Sequence, residues 1–184
     1  QRINEDEVLD LLADADIVIA HNANFDKPFL SRRIPPIREM VWGCSCYDVD
    51  WAHNGFDGRG LGWLCAQAGW FFDGHRAVAD VDAVITLLRH PGLDHPTILA
   101  ELVDNAQQPR LLIEAVGAEY GVKHLLRAKG YRWNQKKRVW AKEVAADQSF
   151  KEEAWLAHNV YSILNNAKAL GPHISPLNYE DRFL

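Results

Sequence analysis

Two short groups of polar residues in the N-terminal part of the chain have the side chains needed for metal-assisted hydrolysis. "HNANFD" covers residues 21–26 and "HRAVAD" covers residues 75–80. Carboxylates such as Asp26 and Asp80 are preferred ligands of hard divalent ions, and a pair of such ions can activate water for phosphodiester cleavage. A histidine such as His75, with an ordinary pKa of about 6.5, is suited to take a proton from that water. These residue types therefore predict metal-dependent phosphodiester hydrolysis.

Each of the three residues also has a purely structural explanation. Asp26 falls in the first turn of a predicted helix, where an acid stabilises the helix dipole by about 0.3–1 kcal/mol, and Asn24 is a candidate N-cap of that helix. Asp80 lies on or beside an apolar helix face, where a carboxylate is costly unless it is paired, bound to a cation or solvated at the edge. His75 at a helix start can simply cap the helix or line a core. Residue types alone leave both explanations open.

The apolar pattern predicts the elements that position these groups. Helices are expected over 5–15, 24–33, 76–89 and 96–105, with a short one from Leu61 that ends at Gly69. A strand is expected over 16–20, and "MVWGCSCYDVDW" predicts a second strand or an irregular segment. The expected core face of the helix over 76–89 consists of Ala77, Val81, Val84, Ile85 and Leu88. Because ligands bind outside the carboxyl ends of strands in open α/β sheets, "HNANFD" lies where a site is expected.

The composition changes after "DNAQQP". Residues 110–142 contain nine lysines and arginines but only two acidic residues. The pattern predicts a strand over 111–116, a helix over 119–129, a hairpin around 134–137 and a helix over 147–165, which together form a small basic β-α-β-β-α unit at 110–165 followed by a tail at 166–184. Nucleic-acid contact is one interpretation of this hairpin, with phosphates neutralised by Lys136, Lys137 and Arg138 and bases stacked on Trp133 or Trp140. A solvated charged turn with its tryptophans in a small core is the alternative.

Composition narrows the class of protein. An apolar content of 48% supports a folded core, and no apolar run is long enough to cross a membrane. The net charge of −5 gives no overall attraction to nucleic acid. The three cysteines, two of them spaced C-x-C, match no common zinc or redox motif and are expected to be reduced thiols. These features predict a soluble, cytoplasmic protein.

The two motifs resemble those of a known family. "HNANFD" is similar to the second motif of the DnaQ-like (DEDDh) 3′→5′ exonucleases, a family that includes bacterial DNA polymerase III epsilon-type exonucleases, and "HRAVAD" is similar to their third, H-x4-D. The resemblance implies a ribonuclease H-like α/β fold over residues 1–105, with Asp26 and Asp80 as ligands of Mg²⁺ or Mn²⁺ and His75 as the general base. It places His21, Asn22 and Phe25 at the substrate.

The same resemblance implies the function. A 3′→5′ exonuclease is expected, acting on DNA rather than RNA, with a polymerase or a second copy of the chain as candidate partner. The alternative is a non-catalytic nucleic-acid-binding or interaction module. "KHLLRAKGYRWNQKKRVWAKEV" also resembles an appendage behind this domain in some bacterial exonucleases.

The chain departs from the family in one respect. The first motif of the family, Asp-x-Glu on the first strand, does not occur anywhere in the 184 residues. Because the chain starts at Gln1, the first strands and the remaining carboxylates are expected to precede it. The chain as it stands is then expected to be a poor nuclease or an inactive one, and a catalytically inactive partner is a further hypothesis.

Overall fold

The computed structural model describes residues 3–74, 76–162 and 171–183. The chain forms two compact units, the first made of Gln1–Gln107 and Tyr179–Leu184 and the second of Gln108–Asn178. Within the described ranges there are seven α-helices and two small sheets, which confirms a mixed α/β protein. The ribonuclease H-like arrangement stays a prediction. No described helix has the length and the apolarity to cross a membrane.

The first unit follows the predicted order of elements closely. Its helices and strands are α1 (Glu5–Leu12), β1 (Val18–Ala20), α2 (Ala23–Arg33), β2 (Trp42–Cys44), α3 (Leu61–Gln67), α4 (Ala77–Leu88) and α5 (Ile98–Gln107). Two prolines stop α2 as expected, and they begin a short 3₁₀-helix over Pro35–Glu39. Helix α1 ends earlier than predicted.

Strands β1 and β2 form a two-stranded parallel sheet in which Ile19 is opposite Gly43. Helix α5 packs so closely on β2 that a Cβ atom at Gly43 would lie 2.5 Å from Cδ2 of Leu102. A side chain at this position would therefore require Leu102 to move. The other edge of β1 pairs with no strand among the described residues.

The predicted core face of α4 is correct for Leu88, which is buried, and for Val84, which packs against the core, but it is wrong for Ala77, Val81 and Ile85, which are exposed. Val81 and Ile85 are 56% and 41% exposed, whereas Ala83, Leu87 and Leu88 are buried. The sequence of α4, AVADVDAVITLL, is apolar around most of its circumference, so periodicity alone did not select the buried face. The face that carries Ala77, Val81, Val84, Ile85 and Leu88 lines a cavity.

The last residues of the chain pack into the first unit. Lys27 is fully buried and donates hydrogen bonds to the carbonyl oxygens of Tyr179, at 2.7 Å, and Glu180, at 3.1 Å. The guanidinium of Arg182 forms a buried ion pair with the carboxylate of Asp48. The predicted tail at 166–184 therefore contains residues that complete the first unit. Of that range, 166–170 and Leu184 lie outside the described residues.

The second unit is an antiparallel four-stranded sheet with two helices. Its elements are β3 (Arg110–Ala115), α6 (Lys123–Ala128), β4 (Arg132–Asn134), β5 (Val139–Ala145), α7 (Ser149–Asn159) and β6 (His173–Leu177), and the strand order is β4-β5-β3-β6. The predicted hairpin is confirmed as β4 and β5. The helix predicted over 119–129 is shorter because Tyr120–Val122 forms a 3₁₀ turn. Strand β6 falls within the predicted tail, and the predicted helix residues 163–165 lie outside the described residues.

Candidate functional site

The first unit contains a cavity of about 1140 Å³ that runs along β1 and past its carboxyl end. Strand β1 and the two residues after it form one side, and α2 and α4 contribute much of the rest. Both Asp26 of α2 and Asp80 of α4 line this cavity. The volume exceeds the roughly 300–1,000 Å³ of ordinary small-molecule pockets, so the cavity is large enough for an extended ligand.

The turn between β1 and α2 places Asp26 at the cavity. Asn22 has a left-handed backbone, with φ of 72°, a conformation that asparagine tolerates better than most residues. Helix α2 can therefore begin at Ala23, directly after the strand, with Asp26 in its first turn. The alternative in which Asn24 is the N-cap is wrong because Asn24 lies inside the helix.

The structure brings five of the six residues predicted for this site to one cavity: His21, Asn22, Phe25, Asp26 and Asp80. The sixth, His75, lies outside the described residues. Burial raises the pKa of the Asp26 carboxyl, which forms no ion pair with any described residue. In the described part of the chain no cluster of three or more His, Cys, Asp or Glu side chains could enclose a metal ion. Any ion at this cavity would therefore depend on additional ligands.

His21 is held by two neighbours from the segment after β2. Its Nδ1 lies 2.9 Å from Oγ of Ser45, and its Nε2 lies 3.2 Å from Sγ of Cys46. Burial lowers the pKa of His21, although the negative charge of Asp80 acts in the opposite direction. His21 is thus fixed by hydrogen bonds at the cavity and is favoured in its neutral form.

The three cysteines are free thiols, as expected, and all three are buried. Sγ of Cys44 accepts hydrogen bonds from the thiol of Cys46 and from the backbone N–H of Ala23, which lies 3.3 Å away, and these bonds lower the pKa of Cys44 to about 7. The bond to Cys44 raises the pKa of Cys46. Sequence reasoning missed the participation of Cys46 and Ser45 beside His21, for which the C-x-C spacing was the only signal.

We expect NMR titration to separate His21 from His53. The imidazole of His21 should titrate below pH 6.5 because it is desolvated, and that of His53 above it because His53 hydrogen-bonds Asp94 at 2.6 Å. As the pH falls, His21 of the unfolded chain binds a proton at a higher pH than His21 of the folded chain does. The stability that neutral His21 contributes is therefore present above pH 6.5 and is lost as the pH falls towards the folded pKa. A pKa of His21 at or above that of His53 would contradict this assignment.

The basic hairpin predicted as a nucleic-acid contact lies in the second unit. Lys136, Lys137 and Arg138 are exposed in its turn, and Trp133 on β4 is 48% exposed. Nζ of Lys137 lies 2.7 Å from Oε1 of Glu114, so this lysine is already ion-paired. Among the residues that the structure describes, Lys137 is the one member of the predicted group that pairs with an acidic residue of its own unit.

Comparison of the chain with protein-family models, curated proteins and solved structures gives no significant match. The resemblance to the exonuclease family therefore rests on the two motifs. The finding that Asp26 and Asp80 line the same cavity is a second observation, which does not depend on the motifs.

Proposed function

We propose that the natural protein is a metal-dependent 3′→5′ exonuclease that hydrolyses phosphodiester bonds of nucleic acid, with DNA preferred over RNA. The observation that supports the proposal is that Asp26 and Asp80, far apart in sequence, line one cavity at the end of β1. Active sites of α/β proteins form at the carboxyl ends of strands. The cavity is therefore the proposed site of hydrolysis.

The donor set of the cavity fits Mg²⁺ or Mn²⁺. Magnesium binds through one or two carboxylates and completes its coordination with water and substrate phosphates, so it does not need a closed protein cage. Burial disfavours the charged form of Asp26, and a cation would restore it. Asp26 and Asp80 would hold the metal. When bound, a metal pair would supply an activated water and stabilise the leaving oxygen.

The remaining side chains have roles that follow from their chemistry. His75, by its place in the motif before α4, is the proposed general base. Phe25 is 72% exposed at the cavity and offers a ring on which the terminal base can stack. His21 and Asn22 also line the cavity and are proposed to contact the substrate. Stacking on an aromatic ring is worth about 1–3 kcal/mol per base.

The proposal is tested with oligonucleotides labelled at either end. The natural protein should shorten them stepwise from the 3′ end and release 5′-monophosphates, and EDTA should stop the reaction until Mg²⁺ is restored. In parallel, Mn²⁺ binding to the same protein is measured by electron paramagnetic resonance, with Asp26→Asn as the test variant and Asp82→Asn as the matched control. Metal-independent cleavage, or Mn²⁺ binding by Asp26→Asn equal to that of the control, would refute the proposal.

A non-catalytic nucleic-acid-binding function is the second candidate. The observation that favours it is the concentration of basic residues and exposed aromatic rings in the second unit. Binding without metal-dependent cleavage by the natural protein would select this candidate.

A further inference from the structure

The two units carry opposite charge. Residues 108–178 contain eleven lysines and arginines against six acidic residues, whereas the rest of the chain contains nine against nineteen. A net charge of −5 for the whole chain therefore conceals a basic second unit. A local excess of positive charge attracts polyanions even when the whole protein is acidic.

We propose that the second unit binds single-stranded nucleic acid on a surface separate from the cavity. This Trp133 surface consists of Arg127, Trp133, Lys136, Arg138 and Trp140. The proposal does not rest on the exonuclease function, because binding by this surface needs neither a metal ion nor cleavage.

The two tryptophans of the surface form a pair whose outer ring is accessible. Trp133 and Trp140 are opposite each other in the β4–β5 register, with ring centroids 5.6 Å apart. Trp140 packs against the core of the second unit, and the guanidinium of Arg127 lies 5.9 Å from the centroid of its ring. Trp133 lies outside that core and is 48% exposed. Trp140 thus supports Trp133 from within the fold, while Trp133 remains accessible to a base.

The cations available to phosphates are fewer than the sequence suggests. Lys137 pairs with Glu114, and Nζ of Lys142 lies 2.8 Å from Oε2 of the buried Glu152. Within the described part of the chain, Lys136 and Arg138 form no ion pair, and both are exposed. These two residues are therefore the free charges of the hairpin turn.

The turn holds these charges in a defined geometry. Oδ1 of Asn134 accepts a hydrogen bond of 3.0 Å from the backbone N–H of Lys137, and Arg138 has a left-handed backbone with φ of 54°. A side-chain bond of this kind fixes the turn from within. Lys136 and Arg138 are consequently held on the same hairpin as Trp133.

Single strands fit this surface better than duplexes. A base can stack on Trp133 only when one of its faces is free, and in a duplex both faces are covered by neighbouring base pairs. Lys136 and Arg138 can neutralise the phosphates of the same strand, and Arg127 adds positive charge beside Trp140. The surface therefore combines the stacking platform and the cations that single-strand binding requires.

The test uses the 184-residue chain in EDTA, with a fluorescently labelled oligo-dT and a labelled duplex of equal length as probes. In anisotropy titrations, Trp133→Ala should weaken oligo-dT binding about tenfold or more, and Trp133→Phe should restore most of it. In the double variant Lys136→Gln/Arg138→Asn, asparagine is chosen at position 138 because it tolerates the left-handed backbone found there. It should reduce the slope of log K against log salt by about 1.4, as expected for two lost phosphate contacts.

A matched control lies on another element of the same unit. Phe150→Ala/Lys151→Gln removes one exposed aromatic ring and one exposed cation from α7, and binding should change little. The proposal is wrong if Trp133→Ala binds oligo-dT like the wild type, if the duplex binds as tightly as the single strand, or if polyglutamate of equal charge competes as well as oligo-dT.

Discussion

Asp80→Asn should lower kcat/KM for Mg²⁺-dependent cleavage by about 10³-fold or more in the natural protein. The amide has nearly the same size as the carboxylate but removes one of the two negative charges proposed to hold the metal. A loss of this size corresponds to about 4 kcal/mol of transition-state stabilisation, in the range that metal ions supply. The effect is measured as the initial rate of nucleotide release at several substrate concentrations.

The control for this prediction is Asp82→Asn. Asp82 is on the same helix, is exposed and does not line the cavity, so its removal changes the net charge equally. Cleavage by Asp82→Asn should stay within a factor of about two of wild type, since surface substitutions of this kind change little. An Asp80→Asn variant that cleaves at the rate of Asp82→Asn would exclude a catalytic role for the cavity.

Arg182→Met should lower the free energy of unfolding of the first unit by about 3–5 kcal/mol. The substitution leaves Asp48, which is 1% exposed, buried without its counter-ion. One oxygen of Asp48 would still accept the hydrogen bond of 2.8 Å from the backbone N–H of Cys44, which does not replace a full positive charge. Denaturant-induced unfolding, followed through NMR signals of the first unit, measures the change.

Arg38→Met provides the comparison. Arg38 and Asp181 form an ion pair of 2.6 Å in which both side chains are about half exposed, and such pairs contribute at most about 1 kcal/mol. The double variant Asp48→Asn/Arg182→Met should be less destabilised than the sum of its two single variants because it removes both buried charges. Equal destabilisation by Arg38→Met and Arg182→Met would show that burial of the Asp48 pair is not decisive.

Local sequence signals predicted most elements of the first unit. The β-branched run before His21 predicts β1, the two prolines after Ile34 predict the end of α2, and Gly69 predicts the end of α3. These signals depend only on residues that are close in sequence, so tertiary packing does not change what they predict. The buried face of α4 was not predictable in this way because Val81 and Leu87 are equally apolar, and only tertiary packing distinguishes them.

The carboxylates of the cavity were predictable by residue type, and their surroundings were not. Asp26 and Asp80 follow from their motifs, but the contacts of His21 with Ser45 and Cys46 join segments with no local relation. The same holds for Lys137 in the hairpin turn, whose partner Glu114 is on β3. A basic segment of the sequence shows where lysines and arginines occur. Only the fold determines which of them pair with an acidic side chain.

The pairing of Asp48 with Arg182 has a consequence for the order in which the protein matures. The two residues are 134 positions apart, and the whole second unit is synthesised between them. At about 5–20 residues per second, the ribosome needs on the order of ten seconds to add that stretch. Until Arg182 is added, the nascent first unit holds an aspartate whose counter-ion does not yet exist, whereas the ion pairs described within the second unit, such as Lys137–Glu114 and Lys142–Glu152, have both partners before that point. We therefore expect the first unit, although most of it is translated first, to reach full stability last.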